Sequence, residues 1–200
     1  MSFQRAFAVA VTFSASVFLS GCFTVSKNLP AGTGPINDER LVGAWVGVND
    51  DGGIPSDTAF LHFQKIDDDK PLRLVWVEDK GYQVYDLLTR RIGNKTVFAA
   101  KLIGPEEAIK EKDMLAGYFI GFYDVKGADD VVFHLLDSEK IGKLIVSGKV
   151  KGIKPPGKYD LATLTGSPDE LARFLASPDA ASALAEEPAR LRRVPMPAKK

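Results

Sequence analysis

Hydrophobic and polar residues alternate in short runs between residues 41 and 137, and Gly, Asn, Asp and Pro interrupt the runs. A period of two is that of β-strands, whose successive side chains point to opposite faces of a sheet. Residues 49–53 and 67–71 are typical of turns because Asn, Asp, Gly and Pro accept the backbone angles that turns require. The pattern predicts strands over residues 41–48, 58–66, 72–78, 82–92, 95–103, 115–125 and 131–137.

Several of these strands are apolar on both faces. In the sixth, Tyr118, Ile120 and Phe122 share one side, while Phe119 and Tyr123 lie on the other. A one-sided sheet does not explain this pattern, whereas a closed barrel with a filled or ligand-bearing interior and a partly covered exterior does. The sequence therefore predicts a mainly β fold, an antiparallel barrel with short C-terminal helices.

The C-terminal part of the chain changes character. Residues 138–150 are ambiguous and indicate at most a short strand, and residues 159–165 predict a last strand. Ser167 then opens a helix signature, with Pro at the first helical position and Glu170 placed for a capping box. A second Ser-Pro-Asp start predicts another short helix over 177–185, and a basic tail follows.

The first residues resemble an export signal. Arg5 precedes the uncharged, mostly apolar residues 6–18, a run too short to span a bilayer, which takes about 20 residues. The following Leu19-Ser20-Gly21-Cys22 closely resembles the lipobox of bacterial lipoproteins. That resemblance implies cleavage between Gly21 and Cys22 and acylation of Cys22. The alternatives are an ordinary secretory signal and an uncleaved anchor with a buried free Cys.

The lipobox resemblance sets the expected organisation and location of the chain. Residues 1–21 form a cleaved signal peptide, and residues 22–37 an acylated Cys and a flexible tether, because Pro and Gly interrupt any periodicity there. The barrel domain follows over 38–165, and short helices with a basic tail over 166–200. Phe23 and Thr24, with no Asp, come directly after Cys22. By the same resemblance, this favours the outer membrane of the bacterial envelope, facing the periplasm.

Composition narrows the functional classes. The chain has 26 Lys and Arg against 26 Asp and Glu, which argues against a nucleic-acid binder with a broad basic face. Its one Cys excludes an internal disulfide and a Cys-rich metal site. His62 and His134 could hold a metal or transfer protons, but both have apolar neighbours that indicate strand positions. With no convergent nucleophile and base, we expect no catalytic residue, metal or cofactor, and therefore no enzyme.

Aromatic residues in the strands give one candidate binding site. They could line a cavity for an apolar ligand, or they could simply fill the barrel, as side chains do in small barrels. The residues concerned are Phe60, Trp76, Tyr82, Tyr85, Tyr118, Phe122 and Phe133.

The first predicted strand carries a Gly-x-Trp sequence, Gly43-Ala44-Trp45. Such a motif in the first strand, after an extended N-terminal segment, resembles the lipocalins and the wider calycin group, whose Trp closes one end of the barrel. The likeness implies that Gly43 and Trp45 have structural roles.

Two hypotheses of function follow. The first is a non-catalytic envelope lipoprotein that binds a small apolar ligand or acts as an interaction module. The alternative is a structural accessory subunit of an envelope assembly, with no internal ligand. The expected partners are the membrane, through N-terminal acyl chains, and an apolar ligand or an envelope protein.

Overall fold

The computed structural model describes residues 24–56, 58–79, 81–105, 117–154 and 161–195. The strands are β1 (Val25–Ser26), β2 (Gly43–Val48), β3 (Phe60–Lys65), β4 (Leu72–Glu78), β5 (Gly81–Ile92), β6 (Lys95–Gly104), β7 (Tyr118–Lys126), β8 (Asp130–Leu135), β9 (Gly152–Ile153), β10 (Thr163–Leu164) and β11 (Ala189–Arg193). The helices are α1 (Ser138–Val146), α2 (Pro168–Ala176) and α3 (Pro178–Ser182), with a 3-10 turn at Glu39–Leu41.

Eight of these strands form a closed antiparallel barrel. Strands β2 to β8 pair in sequence order, each with the next. Strand β11 pairs with β8 on one side and with β2 on the other, and so closes the barrel. The predicted fold class, an antiparallel barrel with short C-terminal helices, is confirmed. Closure leaves none of the eight barrel strands as an open edge.

The sequence misses the closing strand β11, whose residues were expected to belong to a basic tail. Its side chains alternate: Leu191 is buried in the barrel, whereas Arg190 and Arg192 lie outside and pair with Asp50 at 2.7 Å and Asp130 at 3.2 Å. Strand β11 therefore belongs to the barrel, and the division between a barrel domain at 38–165 and an appendage at 166–200 does not hold.

The prediction of a flexible tether in the N-terminal segment is also corrected. Described residues of the expected flexible tether pack against the barrel: Thr24 and Ser26 are buried, and β1 pairs with β7 and with β10. Farther on, the amide of Asn37 donates to the carbonyls of Asp67, Asp68 and Lys70 at 2.9 to 3.1 Å. These contacts join residues distant in sequence, so local composition does not reveal them. Gly21 and Cys22 lie outside the described residues.

Helix α1 replaces the short strand that the sequence suggested within 138–150. Its N-cap is Asp137, whose side chain accepts a hydrogen bond from the backbone N–H of Lys140 at 2.8 Å. The predicted capping box of α2 is present between Ser167 and Glu170. Helix α3 ends at Ser182, three residues before the predicted end, and the expected last strand contributes only β10 among the described residues.

Two hydrophobic cores result. One fills the barrel; the other lies between the helices and the outer face of β6 and β7. Large members of the outer core are Ile120, Phe122, Ile141, Leu164, Leu171, Phe174 and Leu175. The helices are thus packed onto the barrel. None of those in the described parts of the chain is long and apolar enough to cross a membrane.

Candidate functional site

The aromatic residues expected to line a cavity do not come together in one place. Trp76 and Phe133 lie in the barrel core, and Tyr118 and Phe122 pack in the outer core beneath the helices. Phe60 and Tyr82 point into solvent, with 55% and 54% of their surface exposed. Strand alternation explains the separation, because neighbouring positions on a strand belong to opposite faces.

Side chains occupy the barrel interior. The ring of Phe133 lies 5.2 Å from that of Phe98, 5.8 Å from that of Tyr123 and 6.2 Å from that of Phe63. We call these four residues the interior ring cluster. Their spacings are those of packed aromatic pairs. Tyr85, the further aromatic candidate, packs at the margin of the same core, where burial raises the pKa of its hydroxyl. The interior thus has the character of a core.

A small hollow lies on the outside of the barrel, between the N-terminal segment and strands β5 and β6. Its volume is about 40 Å³, and Leu29, Pro30, Leu88 and Arg90 are among its lining residues. Pockets that hold a drug-sized ligand measure roughly 300–1,000 Å³. The hollow suits a water molecule or two but no larger ligand.

The Gly-x-Trp sequence packs against an arginine from β11. The guanidinium of Arg193 lies 4.2 Å from the centre of the Trp45 ring and donates to the carbonyls of Arg40 and Val42 at 2.7 and 2.6 Å. Gly43 has a φ of +133°, and a Cβ there would lie 2.5 Å from Nη1 of Arg193. The residue at 43 must therefore be glycine if Arg193 is to reach the Trp ring.

A buried carboxylate, Asp38, lies close to the same residues. Asp38 accepts hydrogen bonds from the guanidinium of Arg40, the shortest at 2.6 Å, and from the hydroxyl of Tyr123 at 2.8 Å. Burial alone would raise the pKa of Asp38, but these hydrogen bonds outweigh it and hold that pKa below its usual value. Burial, followed by the hydrogen bond to Asp38, raises the pKa of Tyr123. Such a hydrogen-bonded network is suited to holding Asp38, Arg40 and Tyr123 in one arrangement.

The two histidines lie apart. His62 is exposed on β3, whereas His134 is half-buried on β8 with its Nε2 3.4 Å from Asp124 Oδ2; β2 and β11 lie between the two strands. Within the described ranges, no three His, Cys, Asp or Glu side chains come close enough to hold a metal ion.

An exposed apolar row crosses three strands on the outside of the barrel. Phe60 of β3 lies opposite Val77 of β4, which lies opposite Tyr82 of β5. Residues directly opposite each other share a face of the sheet. The three side chains, 45–55% exposed, form what we call the outer row. Contiguous exposed apolar surface often marks a contact site.

Sequence reasoning missed several residues of these sites, among them Val77, Arg193 and Asp38. Val77 was detectable, because alternation puts it on the face opposite to Trp76. Arg193 carries no comparable local signal, since its acceptors lie far away in the chain. Asp38 bonds to the nearby Arg40, but its burial and its bond to Tyr123 depend on the tertiary structure. No family model, curated protein or solved structure matches this chain.

Proposed function

We propose that the protein is a non-catalytic module of the bacterial cell envelope that binds another envelope protein through the outer row. Of the two hypotheses from the sequence, this is the accessory subunit without an internal ligand. In this proposal the chain is a lipoprotein, acylated at Cys22 and held in the outer membrane on the periplasmic side. Its barrel resembles those of the calycin group in architecture.

The contrast between the inside and the outside of the barrel carries the proposal. A carrier of apolar molecules needs internal space, and the interior ring cluster takes up the centre of this barrel. Phe60 and Tyr82, by contrast, each leave more than half of their surface in water. Aromatic residues are enriched in the buried centres of protein interfaces, where they contribute much of the binding energy.

Native mass spectrometry of the full-length protein, extracted from its own membrane in mild detergent, tests the proposal. We expect the acylated chain in complex with one protein partner, and no small molecule bound at one copy per chain. The double variant Phe60→Ser, Tyr82→Ser should lose the partner. Ile66→Ser is the matched control, because Ile66 is also exposed, at 46%, but lies just beyond the other end of β3.

Three results would contradict parts of the proposal. An apolar molecule retained at one copy per chain would favour a carrier instead. A partner that stays bound to the double variant would show that it does not bind through the outer row. Cys22→Ser should release the protein from membranes. If the variant is exported and cleaved but still bound to membranes, the protein is not anchored by acylation of Cys22.

A further inference from the structure

A second exposed surface lies where α1 ends and β9 begins. We call residues 143–154 the α1–β9 edge. Val146, the last residue of α1, is 76% exposed, and Ile153 of β9 is 50% exposed. The two parts are in contact, because a Cβ on Gly152 would lie 2.5 Å from Cδ1 of Ile145. Val146 follows Ile145 in the chain and Ile153 follows Gly152, so the two exposed apolar residues flank this contact.

The α1–β9 edge carries lysines and no carboxylate of its own. Residues 143–154 include four lysines and no acidic residue. Three of the lysines pair with carboxylates of neighbouring segments, Glu139, Asp179 and Glu170, at 2.6 to 2.8 Å, yet each keeps more than half of its side chain exposed. Exposed pairs of this kind are worth about 0–1 kcal/mol, so an external phosphate can compete for these lysines. The lysines are Lys143, Lys149, Lys151 and Lys154.

The α1–β9 edge lies next to the first residues that the structure describes. Val25 of β1 is opposite Thr163 of β10, which is opposite Ile153 of β9. Two strand spacings of about 4.8 Å put Val25 and Ile153 roughly 10 Å apart. Cys22 is two residues before the buried Thr24, so its Cα lies within about 7 Å of that of Thr24. Phe23 alone separates the two residues in the chain.

We propose that the α1–β9 edge rests on an anionic lipid bilayer, with Val146 and Ile153 in the headgroup region and the lysines on lipid phosphates. This inference rests on the proposed acylation of Cys22. An anchor so close to packed structure holds one side of the barrel at the bilayer, and the side nearest to it carries exposed apolar groups among lysines. That combination is what binds an anionic membrane surface.

The outer row is less suited to this role. It lies on β3, β4 and β5, whereas β1 is attached to β7, and β7 and β3 are diametrically opposite in the eight-stranded order. Glu78 and Asp79 follow Val77 directly in the chain and put negative charge at that end of the row. A protein resting on the α1–β9 edge therefore keeps the outer row directed away from the anchor, free for a protein partner.

A dye on one residue at a time tests the docking. The full-length acylated protein is reconstituted in vesicles that contain phosphatidylglycerol. Since Cys22 is the sole cysteine and its thiol is acylated, a nitrobenzoxadiazole dye on Ile153→Cys labels that position alone. We expect blue-shifted emission and quenching by doxyl lipids at Ile153→Cys, but neither at the matched control Tyr82→Cys. A dye at Ile153→Cys that stays in water, or lipid contact at Tyr82→Cys instead, would overturn the proposal.

Removing charge tests the lysines without touching the apolar contacts. The substitutions Lys143→Gln and Lys149→Gln are introduced together into the chain that carries the dye at Ile153→Cys. Each lysine near an anionic surface contributes about fivefold to binding, so the docked-to-undocked ratio should fall about 25-fold. The control Lys70→Gln, Lys126→Gln removes two exposed lysines elsewhere on the molecule and should change nothing. Equal quenching in both double variants would contradict the role of the lysines.

The mass of the N-terminal fragment, measured on the same sample, separates this inference from the proposed function. An acylated Cys22 with a water-exposed dye at Ile153→Cys defeats the docking proposal alone. An unacylated Cys22 defeats the anchor and the docking together. Partner binding through the outer row is read independently, from the Phe60→Ser, Tyr82→Ser variant.

Discussion

Two aromatic residues on the same strand behave in opposite ways. Phe63 of β3 is 1% exposed and stacks in the interior ring cluster, whereas Phe60, three residues earlier, is 55% exposed and belongs to the outer row. Three positions along a strand change the face, because side chains alternate. Similar residues thus stabilise the fold on the inner side of the barrel wall and remain available for binding on the outer side. Aromatic content alone does not distinguish a ligand cavity from a core.

The largest effect should come from the interior. Phe133→Ala removes the ring that contacts Phe63, Phe98 and Tyr123, and leaves a cavity where the barrel cannot collapse fully. We expect the free energy of unfolding to fall by about 3–5 kcal/mol. Urea unfolding followed by tryptophan fluorescence measures it. A loss below about 1 kcal/mol would mean that the interior is less closely packed than the ring contacts indicate. That result would favour the hypothesis of a ligand cavity inside the barrel.

A smaller effect is expected in the hydrogen-bonded network of Asp38. Asp38→Asn removes the charge from the hydrogen bonds with Arg40 and Tyr123, and should lower the free energy of unfolding by about 1–2 kcal/mol at neutral pH. Tyr123→Phe is a matched variant, because it removes one of these hydrogen bonds and keeps the ring. It should cost about 1 kcal/mol.

The Asp38 contribution should also depend on pH, in a definite direction. The pKa of Asp38 is lower in the folded chain than in the unfolded chain, where Asp titrates near 3.9. The stabilisation is therefore complete above about pH 4 and is lost as the pH falls through the folded pKa. The difference between wild type and Asp38→Asn should shrink in that range. A difference that stays constant from pH 6 to pH 2 would show that the charge of Asp38 plays no part.

The sequence was sufficient to predict the seven strands β2 to β8, because alternation and turn residues are local signals. It was insufficient for β11, whose Ala-Arg-Leu-Arg-Arg has a single large apolar side chain to mark the inner face. The contacts of β11 reach across the chain: the guanidinium of Arg190 bonds to Asp50, 140 positions away. Likewise, alternation separates the two faces of a strand but does not say which face a helix will cover. Phe122 is covered and Phe60 is not, and only the tertiary structure distinguishes them.

The smallest effect on stability is expected in the outer row, and it sharpens the comparison most. Phe60→Ser, Tyr82→Ser removes two rings that are already mostly in water, so the free energy of unfolding should change by no more than about 0.5 kcal/mol for each substitution. The same denaturant measurement as for Phe133→Ala applies. A loss of several kcal/mol would show that the outer row supports the fold, and its exposure would then be no argument for a partner. Stability close to that of wild type, combined with loss of the partner, would assign the outer row to binding, because a group that contributes little to folding and is needed for the complex acts at the interface.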